Sequence, residues 1–339
     1  MGYETQHAKI SPLKTFTAHE LQNMDIPPLK FVVDEILPEG LAVLVAPPKY
    51  GKSWMAQQLC ASVATGNAFL GFTTVKGTTL YMALESSERQ LQDRQEAYFS
   101  EGNAPDNMHM TKTSERIGSG LIQQLEFFLK EYADTVLIAI DLLAKIRPDN
   151  DGKQTGSKNA YYADYKDMEP LKNLADKYRI CVLVLHHTNK AKDETDFINT
   201  ISGSNGIAGS ADTVLGIHKP FRADETATMI VFGRDVKMQD FPIVFDPNSC
   251  LWKRTNAPII PTVDPLVKQI CTFMAELDEW RGTLSELAQA TGNIGNTDSF
   301  AKSTGRHLPK IRNQLIQNGI DYERIAGRNR EYRFFKKLI

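Results

Sequence analysis

The chain predicts an α/β protein whose core is a mostly parallel sheet covered by helices on both faces, with a small C-terminal module of helices and a hairpin. Three observations carry this. Short, near-continuous apolar runs alternate with amphipathic helical segments, the pattern of strands buried on both faces. The first run, Leu41 to Val45, leads into Ala46-Pro-Pro-Lys-Tyr-Gly-Lys-Ser53, and a helical pattern begins at Trp54. After a proline-rich stretch from Thr255 to Pro265, the last forty residues turn strongly basic.

In chain order, residues 1–30 predict an extended arm. Pro12, Pro27 and Pro28 punctuate it, with Pro38 beyond, and the only helical hint is a short turn near Thr17 to Met24. The core spans 31–255. Its strands are expected at 41–45, Thr79 to Leu84, Val136 to Ile140, Cys181 to Leu185, Thr213 to Ile217 and Met229 to Phe232, and its helices at 53–65, 88–100, 121–132 and 166–178. Antiparallel pieces at 228–234, 241–246 and 250–254 close the sheet, and residues 256–264 form a linker. The module 265–339 carries helical patterns at 265–278, 283–291 and about 305–318, then short strands around Asp321 to Ile325 and Arg330 to Phe335 joined by Ala326-Gly-Arg-Asn. Helices followed by a basic hairpin resemble a winged helix. In its third helix Leu308, Ile311, Leu315 and Ile316 are expected inside and Arg306, Lys310 and Arg312 outside. Pro309 requires that helix to begin near residue 307 or to kink.

Ligands of parallel sheets bind beyond the carboxyl ends of the strands, so the residues there carry the chemistry. A triphosphate calls for backbone N–H groups at a helix N-terminus and one flexible cation. Pro48, Lys49, Tyr50, Gly51, Lys52, Ser53 and Trp54 supply that set: Gly51 admits the phosphates, Lys52 is the cation, and the Ser53 hydroxyl suits Mg²⁺. The usual first glycine of the pattern is Ala46. Glu85 follows the second strand and reads either as the carboxylate that activates water or as a helix-capping acid. Asp141, closing Val136-Leu-Ile-Ala-Ile, is the second Mg²⁺ residue. His186 and His187 end the fourth strand; neighbours on a strand point to opposite faces, so the pair does not chelate one metal, and either one can sense the γ-phosphate. Two polar loops follow. Lys145 to Lys158 includes Arg147 and Lys153, and Lys190 to Gly209 includes Lys192; Lys145, Arg147, Lys190 and Lys192 are DNA-contact candidates.

Composition bounds the rest. With 339 residues, 42% hydrophobic and 24% charged, the chain has ordinary globular proportions, its apolar runs are too short to span a bilayer, and residues 1–25 lack the apolar centre of a secretory leader. A cytoplasmic location without membrane contact is expected. Cys60, Cys181, Cys250 and Cys271 are widely spaced and form no metal or redox pair. Residues 300–339 hold ten Lys or Arg against three acids, a net of +7; the whole is −2, so the remainder is −2 − 7 = −9. A basic module on an acidic body points toward nucleic acid, and within it Arg306, Lys310, Arg312, Arg328 and Arg330 are the contact candidates.

The ordered set of Lys-Tyr-Gly-Lys-Ser53, Leu-Glu85 with Arg94 nine residues on, Ala-Ile-Asp141, Leu-His-His187, Gly-Ser-Asn-Gly-Ile-Ala-Gly-Ser-Ala-Asp212 and Gly-Arg234-Asp resembles the RecA-like ATPases of the RepA hexameric helicase family, relatives of DnaB-type replicative helicases. The resemblance implies an ATP- and Mg²⁺-dependent helicase or translocase of a plasmid, phage or mobile-element replication system, assembled as a homo-oligomeric, six-membered ring around single-stranded DNA. It makes Glu85 the catalytic carboxylate, lays Arg94 on the adenine, and gives Arg234 or Lys237 as a finger acting on a neighbouring subunit's nucleotide, although the family's Lys-x-Arg pair is absent. For Arg234 a sheet-edge salt bridge is the competing reading. The C-terminal module resembles the winged-helix extensions of some members, which contact duplex DNA or protein. The alternative function is an ATP-switched regulator or loader that assembles on DNA without unwinding it.

Overall fold

Why the strands read as unbroken apolar runs is answered by the sheet they build. The computed structural model describes residues 13–99, 102–148, 157–187, 205–219, 226–256, 264–291, 297–325 and 331–337. Lys153, Lys190, Lys192, Arg328 and Arg330 lie outside them, as do the side chains of Lys158 and Lys310. Two units are distinguished, Met1–Lys30 and Phe31–Ile339. In the first, α1 (Ala18–Gln22) starts at a capping box in which Thr17 and Glu20 satisfy each other's backbone N–H groups.

The second unit opens with the hairpin β1 (Phe31–Val33) and β2 (Leu37–Pro38), which the sequence reading missed because both strands are two or three residues long. Then follow β3 (Gly40–Ala46), α2 (Lys52–Thr65), β4 (Thr78–Ala83), α3 (Glu88–Tyr98), β5 (Met108–Thr111), α4 (Leu121–Glu131), β6 (Thr135–Asp141), α5 (Leu143–Ile146), α6 (Ser157–Tyr178), β7 (Cys181–His187), α7 (Asn205–Ser210), β8 (Thr213–His218), β9 (Thr226–Gly233), β10 (Gln239–Asp246) and β11 (Leu251–Arg254). Nine strands form one sheet in the order β11-β10-β9-β8-β3-β7-β6-β4-β5. The six from β8 to β5 are parallel, and β9, β10 and β11 extend it antiparallel. Along β3, Leu41, Val43 and Val45 enter the core that α4 and α6 cover, whereas Ala42, Leu44 and Ala46 enter the one under α2. Both faces are dry, and that is why the strand lacks polar alternation.

Residues 264–337 gather around a third core. It comprises α8 (Pro265–Met274), β12 (Glu279–Thr283), α9 (Leu284–Ala290), α10 (Thr297–Gln317), β13 (Ile320–Arg324) and β14 (Glu331–Lys336), with sheet order β12-β14-β13. Val267, Ile270, Leu287, Leu308, Ile311, Leu315 and Phe334 fill it. Two sequence expectations change here. The third helix begins at Thr297 rather than near 307 and carries Pro309 in its interior. Leu308, Ile311 and Leu315, all buried, hold the turns on either side of the proline, and packing of that size outweighs one lost backbone bond. Ile316 is half-buried rather than inside.

Candidate nucleotide site

The central strand β3 delivers its chain into the phosphate loop at the sheet's carboxyl edge. Ala46 ends β3 fully buried, an extended position where a glycine's freedom is not needed. That freedom is used at Gly51, which caps α2 with φ +82° and where an added Cβ would lie 2.8 Å from the Trp252 ring. Lys49 is also left-handed, at φ 70°.

Lys52 is 5% exposed. Its Nζ donates to Ala46 O at 2.7 Å, to Pro47 O at 3.0 Å and to His187 Nδ1 at 2.7 Å. An ammonium only donates, so His187 accepts through Nδ1. Burial pushes the Lys52 pKa down to about 8, against the pull of Asp141 and Glu85. Burial and then the Lys52 charge lower that of His187. His186, on the opposite face of β7, is driven to about 4 by burial and next by Arg147, which keeps it neutral near pH 7. The structure thus separates the two histidines: His187 meets the phosphate-loop lysine and His186 does not line the cavity.

Asp141 ends β6, beside β4. Its Oδ2 accepts from Tyr81 Oη at 2.6 Å, a bond that orients the carboxylate from behind. The backbone bond from Leu84 N to Asp141 O brings the next residue, Glu85, to the same edge. The capping reading of Glu85 is overturned, because α3 begins at Glu88 and its capping box is Ser87 with Gln90. The Glu85 carboxylate is half-exposed, with Lys145 Nζ at 3.7 Å.

Lys52, Glu85, Asp141 and His187 line one cavity of about 400 Å³ together with Lys49, Ser53, Trp54, Arg94, Lys219, Phe245 and Trp252, within the size range of small-molecule sites. One end is charged and the other aromatic. Arg94 places its guanidinium 5.0 Å from the Trp54 ring centre, and its Nη1 is buried without a partner among the described residues. Trp54, Phe245 and Trp252 form an edge-to-face chain with centroids 5.8 and 5.4 Å apart. Trp252 donates its indole N–H to Gly51 O at 3.3 Å, and Gln58 grips the Trp252 backbone through two 2.8 Å bonds. The hard oxygens of Ser53 and Asp141 suit Mg²⁺, and the orphan Arg94 N–H is a donor suited to a nucleotide acceptor. Tyr81, Gln58, Phe245 and Trp252 escape sequence reasoning because each is tied to the site by a partner 60 or more residues away, out of sight of any local motif.

Not every candidate residue comes to this site. Arg234 follows β9, whose end pairs with the start of β8, so it lies at the opposite edge of the sheet from its own phosphate loop. Its Nη1 stands 3.2 Å from Asp212 Oδ1, while Asp212 Oδ2 takes Lys172 at 3.0 Å and Leu41 N at 2.9 Å. Lys237 is exposed nearby. Three DNA-contact candidates have carboxylate partners in the structure. Lys145 lies 3.7 Å from Glu85, Arg147 pairs with Asp164 at 2.5 Å and Asp167 at 3.7 Å, and Arg312 pairs with Asp321 at 2.9 Å. A carboxylate within ion-pair distance competes with an external phosphate for the cation. Arg306 is exposed.

A family model described as an AAA domain matches residues 7–193. The chain belongs to that AAA-domain family. The matched segment carries Lys52, Glu85, Arg94, Asp141, His186 and His187, and it stops before Arg234. Among solved structures, the ATPase domain of G40P is similar at a TM-score of 0.50 and 11% identity, covering 64% of this chain and 85% of that one. It supports a RecA-like fold for the AAA core. A DnaB-like replicative helicase, whose structure was described with its interactions with primase, aligns at a TM-score of 0.49 and 10% identity over 63% of this chain and 57% of that one. No curated protein matches the sequence. No described helix is long and apolar enough to cross a membrane.

Proposed function

We propose that this AAA-domain chain hydrolyses Mg·ATP and works as a ring-forming DNA helicase or translocase of the RepA kind, in a plasmid, phage or mobile-element replication system. One observation carries the reading: Lys52, Glu85, Asp141 and His187 converge on a single cavity where the phosphate loop enters α2. Lys52 and the N–H groups opening α2 hold the phosphates; Ser53 and Asp141 hold Mg²⁺, which supplies charge neutralisation to the terminal phosphate. Glu85 receives the proton of the attacking water. His187, released when Lys52 exchanges its imidazole for phosphate, is the γ-phosphate sensor. Arg94, with Trp54, flanks the base.

Arg234 is the preferred trans-acting finger and Lys237 the second candidate; the exposure of Arg234 at the far sheet edge supports action on a neighbour, with Asp212 holding it in the meantime. The module of 265–339 is a winged helix that binds DNA, 256–264 is the linker, and six subunits close a ring around a single strand.

Two experiments test this. Glu85→Gln is expected to keep nucleotide binding and to lower turnover by two orders of magnitude or more, in line with the loss of general-base assistance (about 10²–10⁴-fold). Near wild-type hydrolysis in that variant would remove Glu85 from the mechanism. Strand displacement on a forked duplex, with ATP and with a non-hydrolysable analogue, separates the motor from an ATP-switched loader that binds without unwinding.

A further inference from the structure

Among the described residues from 300 to 337, the cations divide into two sets that sequence treats alike. One set is spent on ion pairs within the module: Arg312 with Asp321 at 2.9 Å, Arg333 with Glu279 at 2.5 Å and Glu323 at 3.0 Å, Lys336 with Asp278 at 3.4 Å, and Lys337 with Asp321 at 3.7 Å. The other set faces a groove of about 850 Å³ between α9, α10 and the β13–β14 edge. Lys302 and Arg306 line it from successive turns of α10, Arg324 from the end of β13, and Tyr332 from the strand paired opposite Arg324. Among the described residues no carboxylate lines it. Lys302, Arg306 and Arg324 are all exposed.

The floor of this groove has been kept low. Gly305 sits in mid-helix, where glycine costs about 1 kcal/mol relative to alanine, and a Cβ there would lie 3.3 Å from Leu284 Cδ1 and 3.9 Å from Tyr332 Oη. The missing side chain lets α10 pack close to Leu284 at the base of the groove. Lys302 and Arg306 are four residues apart, about 6 Å along the axis, a spacing that lets the two cations meet neighbouring phosphates of one strand. A helix of this kind also fits a major groove about 12 Å wide.

We propose that this groove is the duplex-binding surface of the chain, with Lys302, Arg306 and Arg324 as phosphate contacts and the outward turns of α10 directed to the major groove. The inference rests on the DNA-binding reading of the module and narrows it. It replaces Arg312 with Lys302 and Arg324.

The test uses the full-length chain and a labelled duplex oligonucleotide, titrated over a series of salt concentrations, with Lys302→Ala/Arg306→Ala/Arg324→Ala and, as comparator, Lys336→Ala. Loss of three phosphate contacts is expected to flatten the dependence of log affinity on log salt by about 2.7, at about 0.9 per contact, with an unchanged melting midpoint, while Lys336→Ala keeps the wild-type slope. A triple variant that retains the wild-type slope, when wild type itself binds duplex with a steep salt dependence, overturns the surface and leaves the DNA-binding reading standing. Wild type that binds no duplex at any salt overturns both. Tighter binding of a single strand than of duplex, lost equally in the triple variant, replaces the proposed ligand, and loss confined to an acidic polypeptide such as polyglutamate replaces it with protein.

Discussion

The burial of Lys52 makes nucleotide affinity depend on pH in a calculable way. An ordinary lysine titrates near 10.5, and here burial brings the value to about 8; that gap corresponds to about 3 kcal/mol of lost charge stabilisation in the free protein. Nucleotide phosphates favour the ammonium, so binding above pH 8 must be accompanied by proton uptake. In the free protein Lys52 is about 90% charged at pH 7 and about 10% charged at pH 9, so affinity falls about tenfold between them, or about 1.3 kcal/mol. Isothermal titration of a non-hydrolysable ATP analogue across that range, in buffers of different ionisation enthalpy, measures both the fall and the proton taken up. The same shift has a signature without ligand: the unfolded chain keeps this proton up to about 10.5 and the folded chain gives it up near 8, so this group adds stability as pH rises through that window. The Lys52→Met variant isolates the contribution from other lysines. Affinity that stays flat to pH 10 would refute the desolvated lysine and, with it, the three-bond cage of Ala46, Pro47 and His187.

Three further outcomes are expected. Arg234→Ala subunits, inactive alone, should regain part of their ATPase activity when mixed with Lys52→Ala subunits, because some interfaces then join an intact loop to an intact finger; no rescue at any ratio counts against Arg234 acting in trans, and Lys237→Ala is the parallel control. Trp252→Phe, which keeps the aromatic contact and loses the bond to Gly51 O, should weaken nucleotide binding about fivefold, the value of one hydrogen bond near 1 kcal/mol; unchanged affinity in a folded variant would make Trp252 a packing residue alone. Tyr81→Phe leaves Asp141 without its 2.6 Å donor and should raise the Mg²⁺ concentration needed for half-maximal hydrolysis by about 10-fold or more, with little change in Mg²⁺-free nucleotide binding.

Elements whose signals are local were legible in the sequence. Strand and helix positions in the core follow from runs of apolar residues a few positions long. The phosphate loop, Glu85 and Asp141 follow from what stands at the ends of those runs, because a parallel sheet places every such end on one edge. The tertiary structure decided whatever depends on partners far apart in the chain. It chose His187 over His186 for Lys52, since two residues alike in sequence point to opposite faces of the sheet and only His187 lies on the face covered by α2, where Lys52 stands. It assigned the aromatic wall to β10 and β11, some 200 residues from the loop they cover, and it freed Glu85 from capping by giving that task to Ser87. It also carried α10 through Pro309, because buried Leu308, Ile311 and Leu315 outweigh a local break. The charge count of the tail was legible from composition, but its direction was not. Asp321, Glu279, Glu323 and Asp278 consume Arg312, Arg333, Lys336 and Lys337, and ion pairing acts over a few ångströms of space rather than along the chain.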